Sequence, residues 1–193
     1  MRSKLFSLAS LATVTLAAMA GSAHAASYAI DPAHTYVTFE IGHFGTSTNR
    51  GRFDKKEGSV VFDREAKTGK VNITVDTASV NTGFAAFNKH LQSADLFNVE
   101  KFPSMTFAAD QFSFTGDKVT EVSGQLTLLG QTHPLTLKAT NFNCYNSPML
   151  KREVCGGDFE ATLDRTAYGM NYGIDWGFPK NVRLVVQVEA VKQ

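Results

Sequence analysis

The residues able to do chemistry are few and widely spaced. Beyond residue 25 the chain has four histidines, His34, His43, His90 and His133, and two cysteines, Cys144 and Cys155. No two of these histidines stand four apart, and none neighbours a cysteine, so the spacings that signal a zinc or haem site are missing. No metal site is expected. The histidines are assigned structural roles, with His34 or His90 tying an insertion to the rest of the fold through hydrogen bonds. There is no Gly-x-Ser-x-Gly elbow. Glu40 and the Asp164-Arg165 pair could be drawn as an acid and a positioner. Strand alternation, however, puts Glu40 and Asp164 on polar faces, where solvated surface is the expectation. No catalytic residue and no catalytic cofactor are assigned, and an enzyme is not expected. In an oxidising compartment Cys144 and Cys155 are expected to form a disulfide joining neighbouring strands. A redox pair or half a metal site are the alternatives, both lacking a Cys-x-x-Cys spacing.

The elements that must position these residues begin after an address label. Arg2 and Lys4 precede an apolar run, Leu5 to Ala20, and Ala23-His24-Ala25 reads as a small-x-small cleavage site. Residues 1–25 are thus expected to be a cleaved signal peptide, and 26–193 one periplasmic domain. The apolar run is short and followed by no stop-transfer pattern, which argues against a retained anchor. Removing Arg2 and Lys4 from 19 basic residues leaves 17 against 18 acidic ones. Such a balance makes nucleic acid and an anionic surface poor partners.

Period-two alternation dominates the rest of the chain. In the hairpin from Val122 to Ala139, Val122, Gly124, Leu126 and Leu128 share one face, and Leu135, Leu137 and Ala139 continue it in the second arm. Gly130 to Pro134 is taken as its turn. Further strands are expected over His34 to Phe44, around Val60 and Phe62, over Val71 to Thr77, from Met105 through Phe114, over Phe159 to Leu163 and over Val182 to Ala190. Between Asn81 and Pro103 the pattern breaks. There Phe84, Phe87 and Leu91 follow one helical face, so a short helix over Phe84 to Ser93 is expected to close one end of a barrel. Eight strands with mostly short links favour an all-β antiparallel up-and-down barrel over a sandwich, because closure removes exposed edges.

The fragments Tyr28-x-Ile-Asp-x-x-His34, Phe39-x-Ile-x-His43, Gly51-x-Phe53, His90-Leu-x-Ser-Ala-Asp-x-Phe97, Phe102-Pro-x-x-x-Phe107, Gly124-x-Leu-Thr-Leu-x-Gly130-x-Thr-x-Pro134 and Asp164-Arg-x-x-Tyr-Gly-Met170 occur in this order. In order and spacing the chain resembles the YceI family of exported lipocalin-like proteins. That resemblance implies an eight-stranded barrel with a helix over its core, holding a polyprenyl lipid or a ubiquinone-type tail without catalysis. Family positions fall here on Phe39, Phe53, His90, Leu91, Phe97, Phe107, Leu126 and Met170. Thr35 stands where the family often has Ser.

An eight-stranded barrel can be filled by its own side chains or can hold one small ligand. Phe outnumbers Tyr by 15 to 5, and Phe has no polar tip suited to a surface. Phe39, Phe53, Phe84, Phe87, Leu91, Phe97, Phe107, Leu126 and Leu128, with Met170, Tyr172 and Trp176 from a Gly-rich aromatic loop, are the candidate ligand-binding residues. Their expected ligand is an isoprenoid lipid or quinone, carried or stored, with transient membrane or carrier contact. Two other readings stay open: an enzyme acting on a small lipid in the same barrel, and a packed interaction module. Val185 and Val191, on the otherwise polar face of the last strand, are the one hint of an exterior contact such as a homodimer.

Overall fold

The computed structural model describes residues 25–193, so the expected signal peptide lies outside the described residues except for Ala25. Eleven strands and one α-helix follow: β1 Ala26–Ile30, β2 Tyr36–His43, β3 Ser47–Phe53, β4 Lys56–Asp63, β5 Thr68–Asp76, β6 Val80–Asn81, α1 Ala85–Gln92, β7 Ser104–Thr115, β8 Lys118–Leu128, β9 Gln131–Asn146, β10 Glu153–Asp164 and β11 Asn181–Lys192. All pairings are antiparallel, and β1 pairs with both β4 and β11, which closes the sheet. The eleven strands make eight staves. β1 and β2 run in line along β11, β3 and β4 run in line along them, and β5 continues into β6. The expected eight-stranded up-and-down barrel is therefore present, with its first three staves broken.

Up-and-down connectivity sorts the links between two ends. The upper end carries the β2–β3 turn, the insertion 82–103 with α1, the β8–β9 turn and the loop 165–180. The lower end carries the links 64–67, 116–117 and 147–152, together with both ends of the described chain. The expected first strand, His34 to Phe44, is only the second half of its stave, and β1, β3 and the two-residue β6 are additions to the expected set. The hairpin turn is shorter than expected. It consists of Leu129-Gly130, both at positive φ, and Pro134 lies inside β9 opposite Gln125. A proline is tolerated there because β9 pairs with β10 only from Lys138 onward, so no second ladder needs its amide.

The stave breaks are stitched by side-chain and backbone hydrogen bonds together. Between β1 and β2 the Asp31 carboxylate accepts from the Ala33 amide and contacts His34 Nδ1 at 2.7 Å. Thr35, fully buried, donates its hydroxyl to the Glu189 carbonyl (3.2 Å) and accepts from the Glu189 amide (3.3 Å). One hydroxyl thus replaces a missing rung between the first and last staves. At the other breaks the Asp54 amide donates to the Ser79 carbonyl, the Lys55 amide to Ser79 Oγ, and the Asp76 amide to the Lys55 carbonyl. Thr77 anchors the insertion, donating its hydroxyl to the Phe102 carbonyl at 2.7 Å and its amide to that of Pro103. Gln92 Nε2 adds a bond to the Ala78 carbonyl. These residues, rather than His34, tie the insertion down. His34 meets Asp31 and, through its own carbonyl, Gln187, well away from α1.

Cys144 and Cys155 pair directly across β9 and β10 and form the expected disulfide. Closing a loop of this length stabilises the fold by about 3 kcal/mol in the chain-entropy picture. Val191 is buried within the chain, beside Val154 across β10 and Ala29 across β1, so it offers no exterior contact.

Two outcomes follow from the closure. Thr35→Val removes the hydroxyl but keeps the shape, leaving the Glu189 amide without its acceptor while the Glu189 carbonyl keeps the Asp31 amide at 2.8 Å. Urea unfolding should show a loss of about 1–3 kcal/mol, with Thr35→Ser close to wild type. At the lower rim the Tyr28 hydroxyl donates to Glu153 (2.6 Å), and Lys192 and Arg64 stand nearby. That bond, with the two cations, holds the Glu153 carboxyl below its ordinary value. Its contribution is therefore complete above the unfolded pKa of about 4.3 and is lost as pH falls through the lower folded value. Melting curves between pH 6 and pH 2 should show a shallower acid decline for Tyr28→Phe than for wild type.

Candidate ligand-binding site

Inward-facing residues treat the two halves of the barrel differently. In the lower half Phe62 meets Phe112, Phe114, Phe142 and Tyr28 at ring-centroid distances of 5.8–6.5 Å, so aromatic rings fill the axis. A residual space of about 80 Å³ remains among them. In the upper half the inward positions of β8, β9, β10 and β11 are aliphatic, among them Leu126, Leu128, Leu135, Leu137, Leu163, Val182 and Leu184. They surround a cavity of about 340 Å³. Ile73, Phe107, Leu137 and Val186 line both spaces and form a waist between them.

One side of the upper chamber is a cluster of three rings, Phe39, Phe53 and Phe97, with centroids 5.3–6.4 Å apart. Gly51 makes room for it, because a Cβ there would lie 2.4 Å from the Phe39 ring. Phe87 and Leu91 of α1 reach in from above, as does Leu96. Met170, Tyr172, Trp176 and Phe178 come from the 165–180 loop.

The structure gathers eleven of the twelve candidate residues around this cavity: Phe39, Phe53, Phe87, Leu91, Phe97, Phe107, Leu126, Leu128, Met170, Tyr172 and Trp176. Phe84 is the exception. It precedes the helix in an extended conformation (φ −128°, ψ 109°), so helical spacing does not apply to it, and it is 66% exposed.

The rim joins three upper segments through rings. His90 of α1 stands edge-on to Tyr172 at 4.7 Å, and Tyr172 to Trp176 at 5.2 Å. His43, the last residue of β2, and Phe44 of the β2–β3 turn meet Phe178 at 5.4 and 4.6 Å. His90 therefore binds the insertion to the 165–180 loop by ring contact, not to the barrel wall by a hydrogen bond. Below, His133 Nε2 lies 3.0 Å from the Ala167 carbonyl and its ring packs on Tyr168. No group of three or more His, Cys, Asp or Glu suited to a metal occurs among the described residues.

A family model described as a YceI-like domain matches residues 28–190. The chain belongs to the YceI family. Protein YceI of Salmonella arizonae is 38% identical over 192 residues, covering 97% of this chain and 96% of that protein. Among solved structures, Burkholderia cenocepacia BcnA superposes with a TM-score of 0.69 at 21% identity, covering 83% of this chain and 98% of that one. A Saccharophagus degradans domain described as polyisoprenoid binding gives 0.62 at 16% identity, covering 88% and 100%. The closed barrel with its single helix is thus the YceI fold.

Sequence reasoning missed several wall residues, including Val37, Ile41, Leu135, Leu163 and Leu184, although their alternation with polar neighbours marks them as inward. It also missed Arg165. Glu40 and Asp164 do lie in polar surroundings as expected: Glu40 is paired with Arg50 and Arg183, and Asp164 with Thr166 and Lys180. Arg165 itself is only 3% exposed and lines the chamber.

A hollow chamber tolerates added volume where a packed core does not. Leu126→Phe, on the chamber wall, should change stability by less than about 1 kcal/mol. Val80→Phe, buried and lining neither space, should cost about 1–3 kcal/mol in the same urea titration.

Proposed function

We propose that the protein is an exported binding protein, a periplasmic carrier or store, for a long isoprenoid lipid such as a polyprenyl or ubiquinone-type molecule, with no chemical step of its own. The observation that carries this reading is the upper chamber. Its wall is aliphatic and aromatic along nearly its whole length, and its few polar groups gather toward the rim, among them His43, Asn49, His90 and Arg165. Such a wall can bury an apolar tail but can fix only one polar end. Membership of the YceI family and the description of the Saccharophagus degradans neighbour as polyisoprenoid binding support the class of ligand.

The energetics suit exchange with a membrane rather than uptake from water. At about 0.8 kcal/mol per buried carbon, a tail of about 40 carbons would gain roughly 30 kcal/mol on leaving water. That exceeds the ceiling of about 18–21 kcal/mol for noncovalent binding, so the relevant comparison is pocket against bilayer. A tail too long for the upper chamber has to curl or press through the waist toward the lower space. Export is supported by the leader-like N-terminal pattern and by the disulfide. No helix among the described residues is long and apolar enough to cross a membrane.

Organic extraction of the purified mature protein, followed by mass spectrometry, should recover a prenyl-chain lipid. Protein that is extracted empty, and that then takes up neither added prenol nor added quinone, would overturn the proposal.

A further inference from the structure

Four large rings stand exposed at the upper end: Phe44 in the β2–β3 turn, Phe84 at the start of the insertion, and Tyr172 and Trp176 in the 165–180 loop. Trp176 is 63% exposed and still lines the chamber, so at this point the chamber wall is also the outer surface of the molecule. Phe44, 55% exposed, rests on Phe178, another lining residue. Phe84 stands three residues ahead of Phe87, which reaches inside. Each exposed ring thus lines the chamber or neighbours one that does.

Neither Phe44 nor Phe84 serves the fold where it stands. Phe44 lies at φ 48°, a left-handed conformation that glycine or asparagine adopts with less strain. Phe84 holds the N-cap position of α1 and gives it no side-chain hydrogen bond, where Ser, Thr, Asp or Asn would satisfy a free amide. Rings that weaken the local structure and remain mostly in water offer the fold little, so their partner lies outside the chain.

The charges around the rim decide what kind of partner fits. Residues 43–49 and 82–88 hold no Asp, Glu, Lys or Arg, and 168–179 hold Asp175 alone. The rest of the insertion sets Lys89 and Lys101 against Asp95 and Glu100. Below the rim Arg50 and Lys180 are paired with Glu40 and Asp164. The lower end is the reverse: its exposed Met149 and Leu150 adjoin Lys151 and Arg152, and its link 64–67 holds Arg64, Glu65 and Lys67. A protein partner needs hydrogen bonds and charges to fix its register, and the rim offers few. A bilayer interface needs neither, and it accepts Trp, Tyr and Phe rings at separate points.

We infer that the upper end docks on the interface of a net-neutral, zwitterionic bilayer, with Phe44, Phe84 and Trp176 entering the headgroup layer and the chamber held against the lipid. The purpose of the contact rests on the isoprenoid-binding reading, since a tail then passes between membrane and chamber without crossing water. The docking itself is a property of the rim and is measured separately from ligand binding.

The test mixes the mature protein with sucrose-loaded phosphatidylcholine vesicles and measures the fraction that sediments. The wild type should partition onto them, and neither added salt nor added phosphatidylglycerol should change the partition more than about twofold, because charge attraction plays no part. Phe44→Asn and Phe84→Ser, combined, remove two rings while easing the turn and capping the helix, so the melting temperature should hold or rise. The pair should weaken vesicle binding by about tenfold or more, with farnesol binding in vesicle-free solution unchanged. Met149→Ser, at the lower end, should leave vesicle binding as in wild type. Wild-type protein that binds farnesol but stays in the supernatant would overturn the docking and leave the isoprenoid reading standing. Binding only to anionic vesicles, or a double variant that sediments as wild type does, would overturn it too. So would a dimer in solution that the two substitutions break, which would give the rim to a second copy of the chain. If vesicles bind and farnesol does not, the docking stands and the ligand reading falls. Should the double variant not fold, the wild-type response to salt and lipid charge decides, together with Met149→Ser.

Discussion

The structure depends on one closure, the pairing of the first stave with the last. β1 and β2 together run along β11, and without that seam the molecule would be an open sheet with two long unpaired edges. The seam is interrupted at Asp31 to Thr35, where the chain leaves the ladder, and the Thr35 hydroxyl carries the missing rung to Glu189. Because the rung is a side chain, the backbone can bulge without leaving a buried amide unmatched. The breaks in the next two staves are joined to each other by backbone bonds, from the Asp54 amide to Ser79 and from the Asp76 amide to Lys55, with the Ser79 hydroxyl adding side-chain bonds to the Lys55 amide and the Asp76 carbonyl. Beyond these breaks the upper wall continues as β2, β3 and β6, and the chain departs to form the insertion that carries α1.

Closure alone does not make a cavity. The lower half shows the filled outcome, with Phe62 at the centre of stacked and edge-on rings and the Tyr28 hydroxyl reaching the rim at Glu153. In the upper half, aliphatic residues on four adjacent staves face a cluster of rings that leans on the opposite wall, and the space between them stays open. The upper links add a cover instead of a plug. Rings from α1, the β2–β3 turn and the 165–180 loop meet at the rim.

Much of this is legible from residues alone, and the exceptions have physical causes. β7 to β11 alternate over most of their length, apart from the register shifts at Asp110 and Asp158 and the buried Val191, because one face of each is buried and the other wet. β3 does not, since its inward positions include Gly51, whose role is to leave room for Phe39, and only Phe53 reads as apolar. β1 is five residues long and directly follows the small residues of the cleavage pattern, so no period emerges. Phe84 fits a helical spacing yet precedes the helix, because spacing does not show where the first turn begins. Arg165 escapes notice because a charged residue at a strand end reads as surface. Nothing in the linear pattern shows that the loop after it folds back to bury it under Met170 and Pro179.

The most direct test of the central claim, that the upper barrel is a dry apolar chamber that receives a prenyl tail, is a crystal structure of the complex with a prenyl alcohol carrying bromine at its tail end. The bromine's anomalous signal should fall inside the barrel, at or below the level of Leu126 and near the waist formed by Ile73, Phe107, Leu137 and Val186. A signal confined to the outer wall, or an empty chamber in crystals grown at saturating ligand, would contradict the account.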